Sequence, residues 1–396
     1  MDNHYPTDLD MDPNSFESPR AGTTEPRVVQ GIRYHAFVPN PLPPKIQYGS
    51  DLVKALSEAD AALGELAGVG RQLPNPHVLM ASYVRREAVF SSRIEGTEAS
   101  MEDVYEDEVE NIAASNDTPD IQEVRNYVTA LEYGEKEVEN GRVLSLPFVL
   151  DLHRLLMAGV RGKDKQPGEF RRLQNWIGRS GSSPATAVFV PPHPDHLPKV
   201  LSDWERFLQI ETVGHPPLVA CALLHQQFET IHPFSDGNGR VGRLIIPLFL
   251  MEQKRLPLPL LYLSGYIEQN KREYAQLLQS VRTHGAWEPW LDFFILGVAS
   301  TAREACSRAK EIVDAYENAR QVVGRNPNSV SLLRHLLVNP FISVTRASQL
   351  IGVSSPTARR AVDDLKEEGI LEDALKRGRT PLYVARTFLT IFTRAP

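Results

Sequence analysis

Residues 232–243 read His-Pro-Phe-Ser-Asp-Gly-Asn-Gly-Arg-Val-Gly-Arg. A short apolar helix precedes them and the apolar run 244–251 follows, which puts the stretch at a helix start. Each element suits the handling of a polyphosphate. His232 can take a proton from an incoming hydroxyl, and Asp236 is a hard oxygen ligand of the kind Mg²⁺ prefers. Gly237 and Gly239 let backbone amides turn inward as an anion nest at a helix start, where the dipole also favours negative charge. Arg240 and Arg243 share a helix face and can both grip phosphate oxygens.

The pattern closely resembles the signature of the Fic family of adenylyltransferases, His-Pro-Phe-x-Asp/Glu-Gly-Asn-Gly-Arg-x-x-Arg, with every defined position filled. A structural loop around a satisfied histidine would have no reason to fill them all. The resemblance implies an all-α Fic-fold core that transfers AMP from ATP, with Mg²⁺, to a Ser, Thr or Tyr hydroxyl of a target protein or of itself, releasing pyrophosphate. In that reading His232 is the base, Asp236 the Mg²⁺ ligand and Asn238 the positioner of the α-phosphate, while Gly237, Gly239, Arg240 and Arg243 cradle the other phosphates.

A second constellation, Ser-Ser-Arg-Ile-Glu-Gly at 91–96, is similar to the family's self-inhibitory Ser/Thr-x-x-x-Glu-Gly/Asn segment, with Ser91, Glu95 and Gly96 in the matching places. Ser91 and Glu95 lie on one helix face, and Gly96 suits the helix end. A carboxylate brought to Arg243 would form a bidentate ion pair with the guanidinium that should hold the γ-phosphate. ATP would then bind displaced, its α-phosphate out of line for attack.

Residues 163–194 have low helicity and two extended runs around a Gly/Ser loop, the pattern of a small β-hairpin. The segment is similar to the family's flap, so a target protein is expected to dock on 168–192 as an added strand. Trp176 and Phe189 could equally be core aromatics. The resemblance also puts Asn270 and Tyr274 at the adenine pocket, although this chain has Tyr274-Ala275 where family members usually carry a Tyr pair. Pro247 should kink or shorten the helix after the phosphate loop. His193, His215 and His225 lack metal-ligand spacing and read as structural or surface residues.

The 396 residues are long for one core, and 42% hydrophobic with 23% charged residues describes an ordinary globular protein. The net charge of −7 argues against a general nucleic-acid binder. Only two cysteines occur, Cys221 and Cys306, which excludes a disulfide framework and points to a reducing compartment. The N-terminus, with Asp2, Asp8, Asp10 and Asp12, does not read as a signal peptide, and no run is apolar enough to span a membrane. A cytoplasmic location is the expectation. The divisions expected are a disordered tail over 1–30, an N-terminal helical region with the inhibitory motif over 31–118, the catalytic core over 119–322 and a separate module over 326–396.

That module holds ten Lys/Arg against six Asp/Glu, a local +4 that leaves −11 elsewhere. It reads as a winged helix-turn-helix, with helices at 330–338 and 344–350, a turn at Ile351-Gly352-Val353 and a third helix from Ser354 to near Glu368. Arg359, Arg360 and a wing tip at Lys376-Arg377-Gly378-Arg379 could meet DNA. Asp363, Asp364, Glu367 and Glu368 weaken that case and favour protein contact. Alternatives to AMP transfer are a de-AMPylating hydrolase in which Glu95 orients a water, and a DNA-binding regulator with a vestigial Fic fold. A kinase-like relative would carry Lys where this chain has Gly239. The sequence leaves the oligomeric state open, a homodimer included.

Overall fold

The computed structural model of the chain describes residues 13–16, 18–29, 31–72, 76–110, 118–159, 166–179, 181–324, 326–374 and 381–394. Two strands come first, β1 (Gly22–Val29) and β2 (Ile32–Pro39), paired antiparallel from Gly22↔Pro39 to Val29↔Ile32. Helices α1 (Ser50–Gln72), α2 (Pro76–Ile94), α3 (Met101–Glu110), α4 (Pro119–Glu139) and α5 (Leu146–Leu156) follow. After a largely irregular stretch come α6 (Leu197–Gln209), α7 (Pro217–Ile231), α8 (Asn238–Glu252), α9 (Ser264–Gln269), α10 (Lys271–His284) and the long α11 (Trp287–Val323).

The centre of the molecule follows from one composition. In α7 every residue from Leu218 to Ile231 is buried, as expected of a helix that is apolar nearly all round. His225 is accommodated there because both ring nitrogens are engaged, Nδ1 with Gly242 O at 3.2 Å and Nε2 with the Tyr274 hydroxyl at 2.9 Å. The almost equally buried α8 packs on α7, and α4, α5, α6, α10 and α11 enclose the pair. Helix α2 lies against α4, α8 and α9, which brings its C-terminal end to the start of α8.

Local expectations fare unevenly. Helix α8 runs on through Pro247 to Glu252, so the proline does not shorten it. Helix α1 passes unbroken through Gly68-Val69-Gly70. A Cβ on Gly70 would stand 2.8 Å from Leu260 Cδ1, so that glycine serves close packing. The 163–194 segment forms no regular hairpin among the described residues, only one antiparallel bridge, Ile177↔Phe189.

The regular hairpin lies instead where a tail was expected. Residues 22–29 form β1, and Phe16 is buried against Phe37 and Phe189, with ring centroids 5.4 and 6.4 Å apart. The Thr and Val of β1 favour a strand, and Phe37 N donates to Val190 O at 2.9 Å, fastening the hairpin onto the flap segment. Residues 1–12 lie outside the described ones.

The C-terminal module comprises α12 (Pro327–Leu336), β3 (Phe341–Ile342), α13 (Val344–Ile351), α14 (Ser355–Glu367), β4 (Glu372–Asp373), β5 (Tyr383–Val384) and α15 (Arg386–Thr393). Its three strands pair in the order β3-β5-β4, the arrangement of a winged helix. The expected basic wing tip, 376–379, lies outside the described residues. Helix α15 docks on α2, α3 and α11. Arg308 of α11 donates to Arg394 O at 3.0 Å, Phe392 meets Tyr105 of α3 at 6.1 Å, and Arg394 pairs with Glu311 at 2.8 Å. Among the described residues no helix is long and apolar enough to cross a membrane.

Candidate active site at the phosphate loop

Helix α7 ends on His232, whose φ of 49° and ψ of 59° put a non-glycine residue in the left-handed region. Such strain persists only where neighbours over-determine it, and here the flap segment does so. Arg171 Nε donates to His232 O at 2.9 Å, Arg171 N to Pro233 O at 2.9 Å, and Asn175 Nδ2 to Phe234 O at 2.9 Å. The Asn238 amide closes the turn, its Oδ1 accepting from Phe234 N at 2.8 Å and its Nδ2 donating to Phe234 O at 2.9 Å. Asn238, expected to position the α-phosphate, thus shapes the loop in this structure. The His153 ring stacks on Phe234 at 3.8 Å and 9°. Gly168 N donates to His153 Nδ1 at 2.9 Å, which leaves the ring proton on Nε2, pointing to Asp236 O at 3.1 Å.

The charges around His232 favour its basic form. Desolvation first, then the cations Arg171 and Arg282, push its pKa down, so the ring is neutral at pH 7 and able to accept a proton. Arg282 is held by Thr230 Oγ1 at 3.1 Å and Glu229 O at 3.1 Å, with its guanidinium 3.9 Å over the Phe189 ring. Asp236 is half-exposed, accepts from Gly237 N at 2.7 Å and stands 3.6 Å from Arg240. Among the described residues no group of three or more His, Cys, Asp or Glu could form a metal site. One half-exposed carboxylate beside Arg240 nevertheless fits Mg²⁺, which takes one or two carboxylates and fills its shell with substrate phosphates and water.

The segment read as inhibitory meets the loop. Glu95 follows the last turn of α2, and Gly96 turns the chain with φ of 96°. A Glu95 oxygen lies 2.6 Å from Arg243 Nη2, which also donates to Ser91 O at 2.9 Å, while Arg243 Nε donates to Ser91 Oγ at 2.8 Å. The bidentate carboxylate fork expected from the sequence is therefore a single oxygen contact, because Ser91 takes the rest of that edge of the guanidinium. A Cβ on Gly239 would stand 2.2 Å from Glu95 Oε1. The carboxylate thus sits on the N-terminal turn of α8, where an anion is favoured. Burial raises the Glu95 pKa, but the charge and hydrogen bond of Arg243, then Arg240 and Lys271, leave it net lowered.

The two residues expected at the adenine pocket make contacts within the protein. Tyr274 is buried, its hydroxyl on His225 and its ring 5.8 Å from Trp290. Asn270 caps α9, with Nδ2 donating to Tyr266 O at 2.9 Å. On the flap Phe189 is fully buried, whereas Trp176 is 38% and Leu173 80% exposed. Sequence reading assigned no role to His153, Arg171, Arg282 or Glu123. Arg171 is the one whose place, in the flap segment, could have drawn attention.

The model of the Fic/DOC family matches residues 143–250, its Fic/DOC N-terminal companion matches 53–136, and a winged helix-turn-helix DNA-binding model matches 325–372. The chain thus carries a region that matches the Fic/DOC domain, preceded by one that matches its N-terminal companion. A protein adenylyltransferase Fic of Culex quinquefasciatus is 31% identical over 158 residues, 39% of this chain and 28% of that protein. That of Drosophila yakuba is 36% identical over 110 residues, 27% of this chain and 20% of its own length. The chain thus spans less than a third of the curated relatives it matches. A Fic family protein from Desulfovibrio desulfuricans G20 shares the fold, with a TM-score of 0.58 at 24% identity over 87% of this chain and 98% of that one.

Proposed function

We propose that this chain transfers AMP from ATP to a Ser, Thr or Tyr hydroxyl of a protein, and that Glu95 restrains the reaction. The observation that carries the reading is Glu95 seated as an anion on the first turn of α8 and bonded to Arg243. A phosphate would take that place. In the step, the neutral His232 ring accepts the hydroxyl proton while the hydroxyl oxygen bonds to the α-phosphorus. The bond to the bridging oxygen breaks and pyrophosphate leaves. Mg²⁺, held by Asp236, would neutralise charge on the phosphates. Arg240 and Arg243 orient the phosphates, and Asn238 acts through the loop it shapes. The target segment lies along the flap, where Leu173 and Trp176 offer exposed apolar surface.

Intact-mass spectrometry after incubation with ATP and Mg²⁺ tests the proposal. A gain of one adenylyl mass, on this chain or on a protein offered to it, is expected, and more of it with Glu95→Gly. Loss of that mass from a pre-modified protein would favour the hydrolase reading, and no change in either direction would favour the vestigial one.

A further inference from the structure

The second phosphate arginine is also held by an internal carboxylate, one that lies outside both motifs. Arg240 Nη1 donates to Glu123 Oε2 at 3.3 Å, with the two side chains 5% and 13% exposed. Glu123 sits near the start of α4. The same Glu123 oxygen accepts from Thr97 Oγ1 at 3.0 Å, and Glu98 N donates to Asp120 Oδ2 at 3.0 Å. These bonds tie the residues just after Glu95 and Gly96 to α4. Arg240 Nε is buried without a hydrogen-bond partner among the described residues, and Nη2 faces only Met157 Sδ at 3.8 Å and Asp236 at 3.6 Å. The guanidinium is oriented but under-satisfied, the condition of a donor group kept for another acceptor.

We propose that Glu123 is a positioning residue that holds Arg240 until nucleotide phosphate displaces it. By sharing one oxygen between Arg240 and Thr97, it links that displacement to the undocking of Glu95 from Arg243. The inference rests on the reading of the loop as an ATP site. With both carboxylates docked, each arginine is neutralised from within, and an incoming triphosphate meets two negative charges it must push aside. Drawing Glu123 off Arg240 loosens its hold on Thr97 and so frees the chain that carries Glu95. Releasing Glu95 first loosens Thr97 and weakens the grip of Glu123 on Arg240.

A double-mutant cycle read by calorimetry with ATP and Mg²⁺ tests this. Glu123→Gln keeps an acceptor for Thr97 and removes the charge. It should tighten ATP about tenfold in the parent protein and about threefold or less in a Glu95→Gly background. Thr97→Val should make the two effects independent. A merely structural Glu123 would lower the melting temperature without tightening ATP. Unchanged or weaker ATP binding in folded Glu123→Gln overturns the proposal, as does equal tightening in both backgrounds. Should Glu123→Gln fail to fold, Glu123→Asp withdraws the charge from Arg240 by one methylene, and a smaller tightening is expected. ATP binding without AMP transfer in Glu95→Gly would sink only the proposed function, whereas no ATP binding in that variant would sink both.

Discussion

Glu95 Oε1 lies where a side chain at position 239 would begin: a Cβ on Gly239 would stand 2.2 Å from it. Under the proposed function, the glycine that would let phosphate approach the α8 backbone is the one that admits the Glu95 carboxylate, and the two anions would compete for a single seat. Replacing Glu95 by Gly should raise AMP transfer about tenfold or more, given about 1.5–3 kcal/mol for a charge-assisted bond. Arg243→Ala should cancel the gain in a labelled-ATP assay, and a Glu95→Gly protein no faster than the parent would remove the inhibitory reading.

Ser91 is expected to behave differently from Glu95. Its hydroxyl and carbonyl aim the guanidinium through Nε and Nη2 at 2.8 and 2.9 Å. In the Glu95→Gly background, Ser91→Ala should therefore lower transfer, by a few-fold for one hydrogen bond of about 1 kcal/mol. A further rise in that double variant would make Ser91 a part of the restraint instead.

His232→Ala should abolish transfer while leaving ATP affinity nearly intact, since the imidazole acts on the nucleophile and not on the nucleotide. A positioned base contributes about 10²–10⁴ in rate. Retained turnover would remove His232 from that role.

Much of this was legible in the sequence, for a reason that differs from element to element. The loop at 232–243 and the pair Ser91/Glu95 could be read because their chemistry is local in spacing, and α7 could be placed because its first half, Leu218 to Leu224, is a continuous apolar run. The partners that make the loop work could not. Arg171, Arg282, His153 and Glu123 reach it from the flap, α10, α5 and α4, and only the tertiary fold brings them there. The strand β1 was hidden by averaging composition over 1–30, which diluted its β-branched residues with the Asp and Pro before them.

The restraint should not respond to pH in the neutral range. The Glu95 carboxyl is held below its ordinary 4.5, so the ion pair is fully formed above that value and is lost only as pH falls through the lower folded one. The ratio of Glu95→Gly to parent activity should stay flat from about pH 6 to pH 8. A ratio that collapses within that window would mean another group sets the restraint.

Glu229 shows the opposite sign. It is buried on α7 with Oε1 unpartnered among the described residues, and burial raises its pKa to about 7. The fold then keeps a proton that the unfolded chain has lost, so this group's contribution to stability falls as pH rises from 4.5 to about 7. Glu229→Gln, uncharged and of similar shape, should raise the melting temperature by a few degrees at pH 8, for about 1–3 kcal/mol, and leave it unchanged near pH 4.5. An equal shift at both values would point to packing instead of the buried charge.

The winged helix supplies the last test. On α14 both Arg359 and Arg360 are exposed, Arg359 paired to Asp363 at 3.2 Å. That surface pair contributes little and could be given up to a phosphate. The module is fastened to the rest of the chain through α12, β3 and α15, while α14 packs on α12 and α13 within the module, so duplex could approach α14 without undocking the module. If DNA is the partner, affinity measured by fluorescence anisotropy should fall steeply with salt, as counterion release requires. Arg359→Ala with Arg360→Ala should flatten the slope by about 2, about one for each phosphate that the protein no longer neutralises. Binding that is absent at low salt, or indifferent to the double substitution, would leave α14 as a protein-contact surface. The acidic Asp363, Asp364, Glu367 and Glu368 on the same helix would then steer a basic partner and not a phosphate backbone.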